Sequence, residues 1–376
     1  MKFYLVAGER SGDLHGGNLI KELKKQASTA FFRGFGGDTM QASGMEVVVH
    51  YRELAFMGFV EVLMNLNTIS KRIKQCQQDI LEYKPDVIIL IDYAGFNLRI
   101  AKFARAHGLK VFWYISPKVW AWNQNRAKKL RANVDRMFVI LPFEKVFFKK
   151  FDWEVDYVGN PVLDAVKAHQ ADEGFLSKNN LSGDKPLVAL LPGSRKQELQ
   201  HMVPVMTAVA SSMPDTQFGI AAVDNLNDTL YSSIKSLSNV HFIEGATYDL
   251  LSHAHAAIVT SGTATLETAL FKVPQVVVYK TSWLSYKIAK GLIRVPFISL
   301  VNLVAQREVV KELIQHEASE SNISKELQRI LNEEKYREEI ISGYIQIINT
   351  LDTGSASENT ARLMIDYLQS PNSQIK

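Results

Sequence analysis

The sequence predicts an α/β protein made of two doubly wound, Rossmann-like domains that face a cleft. Apolar runs rich in β-branched residues alternate with helical patterns along the chain. One run, VIILI, is apolar without interruption, as in a parallel strand buried on both faces. The length of 376 residues exceeds one ordinary core. Two domains of roughly 150–200 residues are therefore expected.

The first half contains six predicted strands: FYLVAG, AFFRGF, EVVVH, DVIILID, KVFWYIS and RMFVIL. The segments between them repeat apolar residues at intervals of three and four, which indicates amphipathic helices. Gly, Pro, Asn, Ser and charged residues then accumulate between about residues 160 and 185, which predicts a linker. A first domain over residues 1–165 follows from this pattern.

The second half resumes the alternation with the predicted strands PLVALLPGS, TQFGIAA, NVHFIEG, AAIVTSG and PQVVVY. From Ser321 onward the pattern is helical throughout. We expect a second domain over residues 166–349. A final helix over about 350–370 is expected to pack on the first domain or on a partner.

Composition excludes several classes of protein. A hydrophobic share of 47% and a charged share of 22% are typical of globular chains. The single cysteine, Cys76, cannot form an intramolecular disulfide, and no metal site is expected. The first apolar stretch is too short for a signal peptide, and no run reaches the ~18 residues of a membrane span. The sequence therefore predicts a cytoplasmic protein that could still sit on a membrane surface.

Positive charge is concentrated in the first half of the chain. Residues 1–165 contain 24 Lys and Arg against 17 Asp and Glu, whereas the formal charge of the whole chain is +4. Between Ser116 and Lys150 there are nine basic residues and two acidic ones. Such density favours phosphates or an anionic surface as partner. A solvated helix face would explain the charge equally well.

Two turns in the second half have the form of phosphate sites. In LVALLPGSRKQEL a buried strand ends at Gly193-Ser194, and Arg195 opens a helix. In AAIVTSGTATLETAL a strand ends at Ser261-Gly262, and Thr263 begins a helix of small residues. Glu267 lies one helical turn further, where a carboxylate suits the hydroxyls of a ribose. A capped turn with a surface Arg, and a helical Glu facing solvent, are the structural alternatives.

A third turn, at Gly245, follows the strand NVHFIEG and could contact the edge of a base. The three turns together predict a site for a nucleoside diphosphate. The chain has no GxxxxGK motif, and no GxGxxG follows a strand, which counts against a P-loop NTPase and against NAD. His253 and His255 lack a third ligand at suitable spacing, so a metal is not expected.

In the first half, Asp92 stands where the apolar strand VIILI stops. A carboxylate is costly to bury, so it is expected to point into the cleft and to act as the general base. Capping of the helix that starts near Phe96 is the alternative role. The earlier turn GERSGD also carries two carboxylates, Glu9 and Asp13, beside a helix start at Ser11-Gly12.

Aromatic and apolar side chains mark two further segments. WYISPKVWAWNQNRAKKLR joins Trp120 to basic residues such as Arg126, as for stacking on a sugar or for anchoring at a lipid interface. LAFMGFVEVLMNL supplies an apolar surface that suits acyl chains, formed by Phe56, Met57, Phe59 and Val60. Burial of the Trp residues in the core and an ordinary amphipathic helix are the alternatives.

Seven motifs occur in order across almost the whole chain: GERSGD, MGFVEVL, SPKVWAW, LPFEK, LPGSR, SGTATLE and SLVNLVAQREVVKELIQ. Together they resemble the lipid-A-disaccharide synthase family, which are inverting glycosyltransferases of the GT-B fold. The resemblance implies transfer of 2,3-diacylglucosamine from its UDP ester to the 6-hydroxyl of 2,3-diacylglucosamine 1-phosphate, without a metal or cofactor. It implies a catalytic role for Asp92 and places Arg195 and Asn302 near the UDP. Val301 and Gln306 depart from the Pro and Gly of many members.

The resemblance also implies how the first domain would act. Glu9 would bind sugar hydroxyls or orient a catalytic group, and the acceptor would contact Ser11, Gly12, Asp13, Trp120 and Arg126. The apolar segment around Phe59 would face the cytoplasmic surface of the inner membrane, with which the protein would associate peripherally. No nucleic-acid partner is expected, and a homodimer is left open.

Two other functions remain open from the sequence. Another GT-B enzyme, such as a UDP-GlcNAc 2-epimerase or the peptidoglycan N-acetylglucosaminyltransferase, would use soluble sugar nucleotides or a polyprenyl acceptor. A non-catalytic protein that binds glycolipids or sugar nucleotides is the other. The charged candidates Asp92, Arg195 and Glu267 argue against the latter, because a decayed site is expected to lose them first.

Overall fold

The computed structural model describes residues 1–54, 66–223 and 228–370. The chain divides into two compact units. The first comprises Met1–Pro161 and Thr353–Lys376, and the second comprises Val162–Asp352.

The first unit is built on a parallel sheet formed by seven strands of the described residues. They are β1 Lys2–Ala7, β2 Phe31–Gly36, β3 Glu46–His50, β4 Val87–Ile91, β5 Val111–Tyr114, β6 Arg136–Val139 and β7 Asp156–Tyr157. Their order is β3-β2-β1-β4-β5-β6-β7. The direction of winding therefore reverses between β1 and β4.

Helices connect these strands. They are α1 Arg10–Gln26, α2 Asp38–Ala42, α3 Leu66–Tyr83, α4 Ala94–Ala106, α5 Val119–Trp122, α6 Arg126–Arg131 and α7 Pro142–Lys149. The next helix, α8 Pro161–Ala168, follows β7 and lies almost entirely in the second unit. A 3-10 turn spans Tyr51–Glu53. The five residues of β4 are all buried, as the uninterrupted apolar run predicts for a strand covered on both faces.

The second unit contains a parallel sheet of six strands within the described residues. They are β8 Leu187–Leu191, β9 Gln217–Ala222, β10 Val240–Glu244, β11 Ala256–Thr260, β12 Gln275–Tyr279 and β13 Glu312–Ile314. Their order is β10-β9-β8-β11-β12-β13, so the winding reverses between β8 and β11.

The helices of the second unit alternate with its strands. They are α9 Phe175–Lys178, α10 Lys196–Ser212, α11 Ser232–Lys235, α12 Thr247–His253, α13 Thr263–Leu270, α14 Trp283–Leu292, α15 Leu300–Ala305, α16 Glu320–Asn332 and α17 Glu334–Leu351, with a 3-10 turn at Asp228–Tyr231. Two doubly wound α/β units confirm the predicted fold class. In the described ranges, no helix has both the length and the apolar character needed to cross a bilayer.

The last helix, α18 Ala356–Gln369, belongs to the first unit. Its buried residues Ala361, Met364 and Ile365 join the same apolar core as Leu19 and Leu23 of α1. Tyr367 donates a hydrogen bond of 3.1 Å to Asp156 at the edge of the sheet. The chain therefore returns to the unit in which it began.

Candidate active site

The turns after β1 and β4 lie side by side at the switch point of the first unit. Ala7 and Ile91, the last residues of these strands, are partners in the parallel register. The turn after β1 carries Glu9, and the turn after β4 carries Asp92. Doubly wound sheets bind ligands beyond the carboxyl ends of the strands at such a point. Both carboxylates thus stand at the place where this fold usually binds a ligand.

The backbone at Asp92 is strained. Asp92 has φ of 43° and Tyr93 has φ of 44°, which is the left-handed region that disfavours residues with a Cβ. Asn97 of α4 holds the turn, because its side-chain amide donates to the carbonyls of Asp92 at 2.9 Å and Ile91 at 3.1 Å. Backbone strain of this kind clusters at functional sites.

Burial raises the pKa of Asp92, and the negative charge of Glu9 raises it further, to about 6. Lys118, which follows β5, opposes the shift because its positive charge favours the carboxylate. A carboxyl group with this pKa is ionised at neutral pH and is still basic enough to accept a proton. These are the properties of a general base.

Gly8 and Tyr93 join the two turns. A Cβ at Gly8 would lie 2.2 Å from a ring carbon of Tyr93, so no larger residue fits while the ring stays there. The hydroxyl of Tyr93 donates to the carbonyl of Leu54 at 2.7 Å. Gly8, the first glycine of GERSGD, is therefore required because the ring of Tyr93 occupies the space that a Cβ would need.

Asp13 has a structural role that differs from the predicted contact with sugar hydroxyls. Its buried carboxylate accepts hydrogen bonds from the backbone N–H groups of Gly37 at 2.7 Å, Thr39 at 2.9 Å and Met40 at 3.1 Å. It thereby caps the start of α2, where the N–H groups lack helical partners. On α1, Ser11 is exposed and Gly12 is buried.

Trp120 also differs from its predicted role in acceptor binding. It is buried, and its Nε1 donates to Glu144 Oε1 at 3.0 Å. Burial raises the pKa of Glu144 to about 7, against the opposing effect of hydrogen bonds from Leu141 N and Trp120. The motifs SPKVWAW and LPFEK thus meet inside the first unit.

Trp122, from the same aromatic and basic segment as Trp120, is the exposed tryptophan of the pair. Its side chain is 46% exposed, and the guanidinium carbon of Arg126 lies 5.4 Å from the centre of its ring. Arg126, which is predicted to bind the acceptor, therefore has an exposed aromatic neighbour. The apolar residues Phe56, Met57, Phe59 and Val60 lie outside the described residues.

The second unit repeats this arrangement at its own switch point. Leu191 of β8 and Val259 of β11 are partners in the register, so the turns that follow these strands are neighbours. The two predicted phosphate turns, at Gly193 and at Gly262, are those two turns. Gly245 follows β10, which is separated from β8 by β9.

The turn after β8 presents Arg195 to solvent. Gly193 has φ of 108°, a conformation that glycine adopts without strain. The N–H groups of Ser194 and Arg195 donate to Glu198 Oε2 at 3.0 and 3.2 Å, so this helix start already has an intramolecular acceptor. The guanidinium of Arg195 is mostly exposed and lies 3.5 Å from Glu198 Oε1. The guanidinium of Arg195, rather than the backbone N–H groups, is therefore available to bind an anion here.

The start of α13 has a different character. No side chain caps it at Gly262, and Thr263 is exposed. Ser261 Oγ donates to the carbonyl of Ile298 at 2.8 Å. Further along, Glu267 accepts a hydrogen bond from the hydroxyl of Tyr248 at 3.1 Å. Burial raises the pKa of Glu267, and this hydrogen bond opposes the rise.

Asn302 has no side-chain group left for a nucleotide. Its amide nitrogen donates to Val310 O and Glu312 Oε1, both at 2.9 Å. Its oxygen accepts from Val309 N and Val310 N. The side chain is completely buried. Asn302 therefore braces the segment between α15 and β13, and a role near the UDP, as the resemblance implies, would act through this segment.

Gln306 ends α15 with φ of 55°. This is the left-handed region, which glycine adopts without strain. It explains why many members of the family have glycine at this position. No three His, Cys, Asp or Glu residues cluster as a metal site would require in the parts of the chain that the structure describes.

Solved structures share this fold. The UDP-GlcNAc 2-epimerase from Neisseria meningitidis bound to UDP-GlcNAc is 15% identical, with a TM-score of 0.66 over 98% of this chain and 99% of that one. The calicheamicin glycosyltransferase CalG4 is 15% identical, with a TM-score of 0.63 over 99% of this chain and 98% of that one. At such identity the likeness shows the fold alone.

Sequence comparisons identify the family. The family model described as lipid-A-disaccharide synthetase matches residues 3–363. The lipid-A-disaccharide synthase of Geobacter sulfurreducens is 39% identical, over 98% of this chain and 97% of its own. That of Coxiella burnetii, strain RSA 331, is 37% identical over 96% of both. The chain therefore belongs to the lipid-A-disaccharide synthetase family.

Proposed function

We propose that this chain transfers 2,3-diacylglucosamine from UDP-2,3-diacylglucosamine to the 6-hydroxyl of 2,3-diacylglucosamine 1-phosphate. The products are the β-1,6-linked disaccharide 1-phosphate and UDP. Membership of the family supports the reaction. The observation that carries the mechanism is the ionisable carboxyl of Asp92, held at the switch point of the first unit.

Asp92 is the base in this proposal. Its carboxylate takes the proton of the acceptor's 6-hydroxyl while that oxygen forms a bond to the anomeric carbon of the donor. The bond from the anomeric carbon to the phosphate oxygen breaks on the opposite side, which inverts the configuration. UDP leaves as an anion and needs no proton from the protein. Glu9 supports the step by raising the pKa of Asp92.

The second unit binds the UDP in this proposal. The guanidinium of Arg195 and the uncapped start of α13 at Thr263 both suit the diphosphate. Glu267, held by Tyr248, would accept hydrogen bonds from the ribose hydroxyls. Gly245 leaves open space beside the base, because a Cβ there would meet nothing within 4 Å.

The first unit takes the acceptor in this proposal. Its phosphate would bind at the start of α1, near Ser11 and Gly12, where no side chain caps the helix. Trp122, which is exposed, and Arg126, which is partly buried, offer an aromatic and cationic pair for the sugar. The apolar segment that contains Phe56 and Phe59 would face the acyl chains at the cytoplasmic surface of the inner membrane.

The experiment measures UDP release from UDP-2,3-diacylglucosamine, with and without the monosaccharide 1-phosphate acceptor. We expect release that requires the acceptor and yields a disaccharide by mass spectrometry. Epimerisation of UDP-GlcNAc, or binding of both lipids without turnover, would contradict the proposal. UDP-GlcNAc without acyl chains is the matched control donor.

A further inference from the structure

The helix α14 and the turn after it expose large apolar side chains to solvent. Trp283 is 67% exposed, Leu292 is 48% exposed and Ile293 is 40% exposed. Every residue from Lys290 to Arg294 is exposed. Trp283 stands at the start of α14, and Leu292 and Ile293 stand at or just after its end. Several large exposed apolar side chains on one element mark an interaction site more often than an isolated one does.

The stretch of sequence that contains this helix carries charge of one sign. The 40 residues from Thr268 to Arg307 contain six Lys or Arg and no Asp or Glu. Three of these cations, Lys287, Lys290 and Arg294, are exposed within or just after α14. Lys287 Nζ lies 4.0 Å from the centre of the Trp283 ring, so a cation and an exposed aromatic occupy the same spot.

The segment is fixed at its far end. The backbone N–H of Ile298 donates to Glu312 Oε2 at 2.9 Å, and its carbonyl accepts the hydrogen bond from Ser261 Oγ. The helix therefore rises from β12 and returns beside the start of α13. Its exposed residues belong to a segment that connects β12 to α15.

We infer that α14 and the turn to Arg294 form a surface that contacts an anionic lipid bilayer. Trp prefers the interface between headgroups and acyl chains, and Leu292 and Ile293 supply area for insertion. Lys287, Lys290 and Arg294 complement anionic headgroups. A second copy of the chain related by a two-fold axis fits less well, because it would place the same lysines against each other.

This surface lies in the second unit, whereas the apolar segment near Phe59 belongs to the first. The inference follows from exposed side chains and does not depend on the reaction proposed above. Vesicle binding without substrates tests it, so its outcome is independent of turnover. The same variants assayed with detergent-solubilised substrates should keep wild-type turnover, because none of the altered residues is placed in the active site.

The experiment measures co-sedimentation of the protein with phosphatidylcholine vesicles, with and without phosphatidylglycerol. We expect the triple variant Trp283→Ser, Leu292→Ser, Ile293→Ser to bind anionic vesicles at least about tenfold more weakly than wild type. The charge reversal Lys287→Glu, Lys290→Glu should weaken binding by about tenfold and reduce its salt dependence. Ile345→Ser and Lys325→Glu, on exposed faces elsewhere in the second unit, are the matched controls and should bind as wild type.

Quenching of Trp fluorescence by brominated lipid gives a second readout. The quenching lost in Trp283→Phe reports the depth of this one ring, whether or not other segments bind the vesicle. No loss of quenching, or wild-type vesicle binding by both multiple variants, would overturn the inference. So would dissociation of a dimer by these variants with vesicle binding unchanged, which would assign the surface to a second copy.

Discussion

Burial raises the pKa of Asp92, and the negative charge of Glu9, on the neighbouring turn, raises it further. The two carboxylates follow β1 and β4, whose last residues are partners in the sheet. Ionised Asp92 is the form that accepts a proton. Turnover should therefore fall as pH drops through about 6, the pKa of Asp92.

Replacing Glu9 by Gln should move this acidic limb to lower pH. The substitution removes a like charge, which favours ionised Asp92 and lowers its pKa. The measurement is kcat/KM against pH. If Glu9→Gln leaves both the limb and the turnover unchanged, Glu9 has no part in the site.

Replacing Lys118 by Met is the opposite test. Its positive charge favours ionised Asp92, so its loss should raise the pKa and move the limb to higher pH. A pair of shifts in opposite directions would assign the limb to Asp92. Shifts of the same sign in both variants would assign it to another group.

Asp13 is expected to matter for folding. Asp13→Ala leaves the N–H groups of Gly37, Thr39 and Met40 without their acceptor, at roughly 1–3 kcal/mol for an unsatisfied buried group. Chemical denaturation should show a lower free energy of unfolding. Asp38→Ala, an exposed carboxylate on the same helix, is the control. A variant of wild-type stability that no longer binds acceptor would restore the sugar-binding role.

Tyr248→Phe should weaken UDP binding about 3- to 10-fold, because Glu267 loses the hydrogen bond that orients it. Glu267→Ala should have a larger effect. Calorimetry of UDP binding is the measurement. Tyr336→Phe is a matched control, because Tyr336 also donates to a Glu, Glu326, in the same unit. If Tyr248→Phe and Glu267→Ala both bind UDP with wild-type affinity, this pair does not belong to the donor site.

Asn302→Ala should lower stability while sparing the nucleotide. The N–H groups of Val309 and Val310 would lose their acceptor, which predicts a decrease of about 2–4 kcal/mol in the free energy of unfolding. UDP affinity of the folded variant should stay within about threefold of wild type, because the replaced amide is buried and all its hydrogen bonds are to the protein itself. Asn322→Ala, at an exposed position, is the control. Loss of UDP binding at unchanged stability would show direct contact.

The strand ends that carry the candidate site could be predicted from local patterns. The apolar run before Asp92 and the small residues after β11 both depend on neighbours in sequence. Parallel pairing then places turns at the same edge of the sheet. The prediction of the fold class followed from the same regularities and is confirmed.

The roles of Asp13, Trp120 and Asn302 could not be predicted in this way. Asp13 contacts residues 24 to 27 positions away, and Trp120 contacts Glu144, 24 positions away. A polar residue in a motif can serve a ligand or the protein's own backbone, and only the tertiary contacts decide. Trp120 and Trp122 have the same side chain, yet one is buried and the other exposed.

The role of Asp92 as the base is tested most directly by Asp92→Asn. The amide cannot accept the proton of the attacking hydroxyl, so acceptor-dependent UDP release should fall about 100- to 10,000-fold. Asp152→Asn, at an exposed position of the same unit, should retain wild-type turnover. UDP affinity and the free energy of unfolding should not change in Asp92→Asn. Turnover within about tenfold of wild type, in a variant with both properties intact, would contradict the assignment of Asp92 as the base.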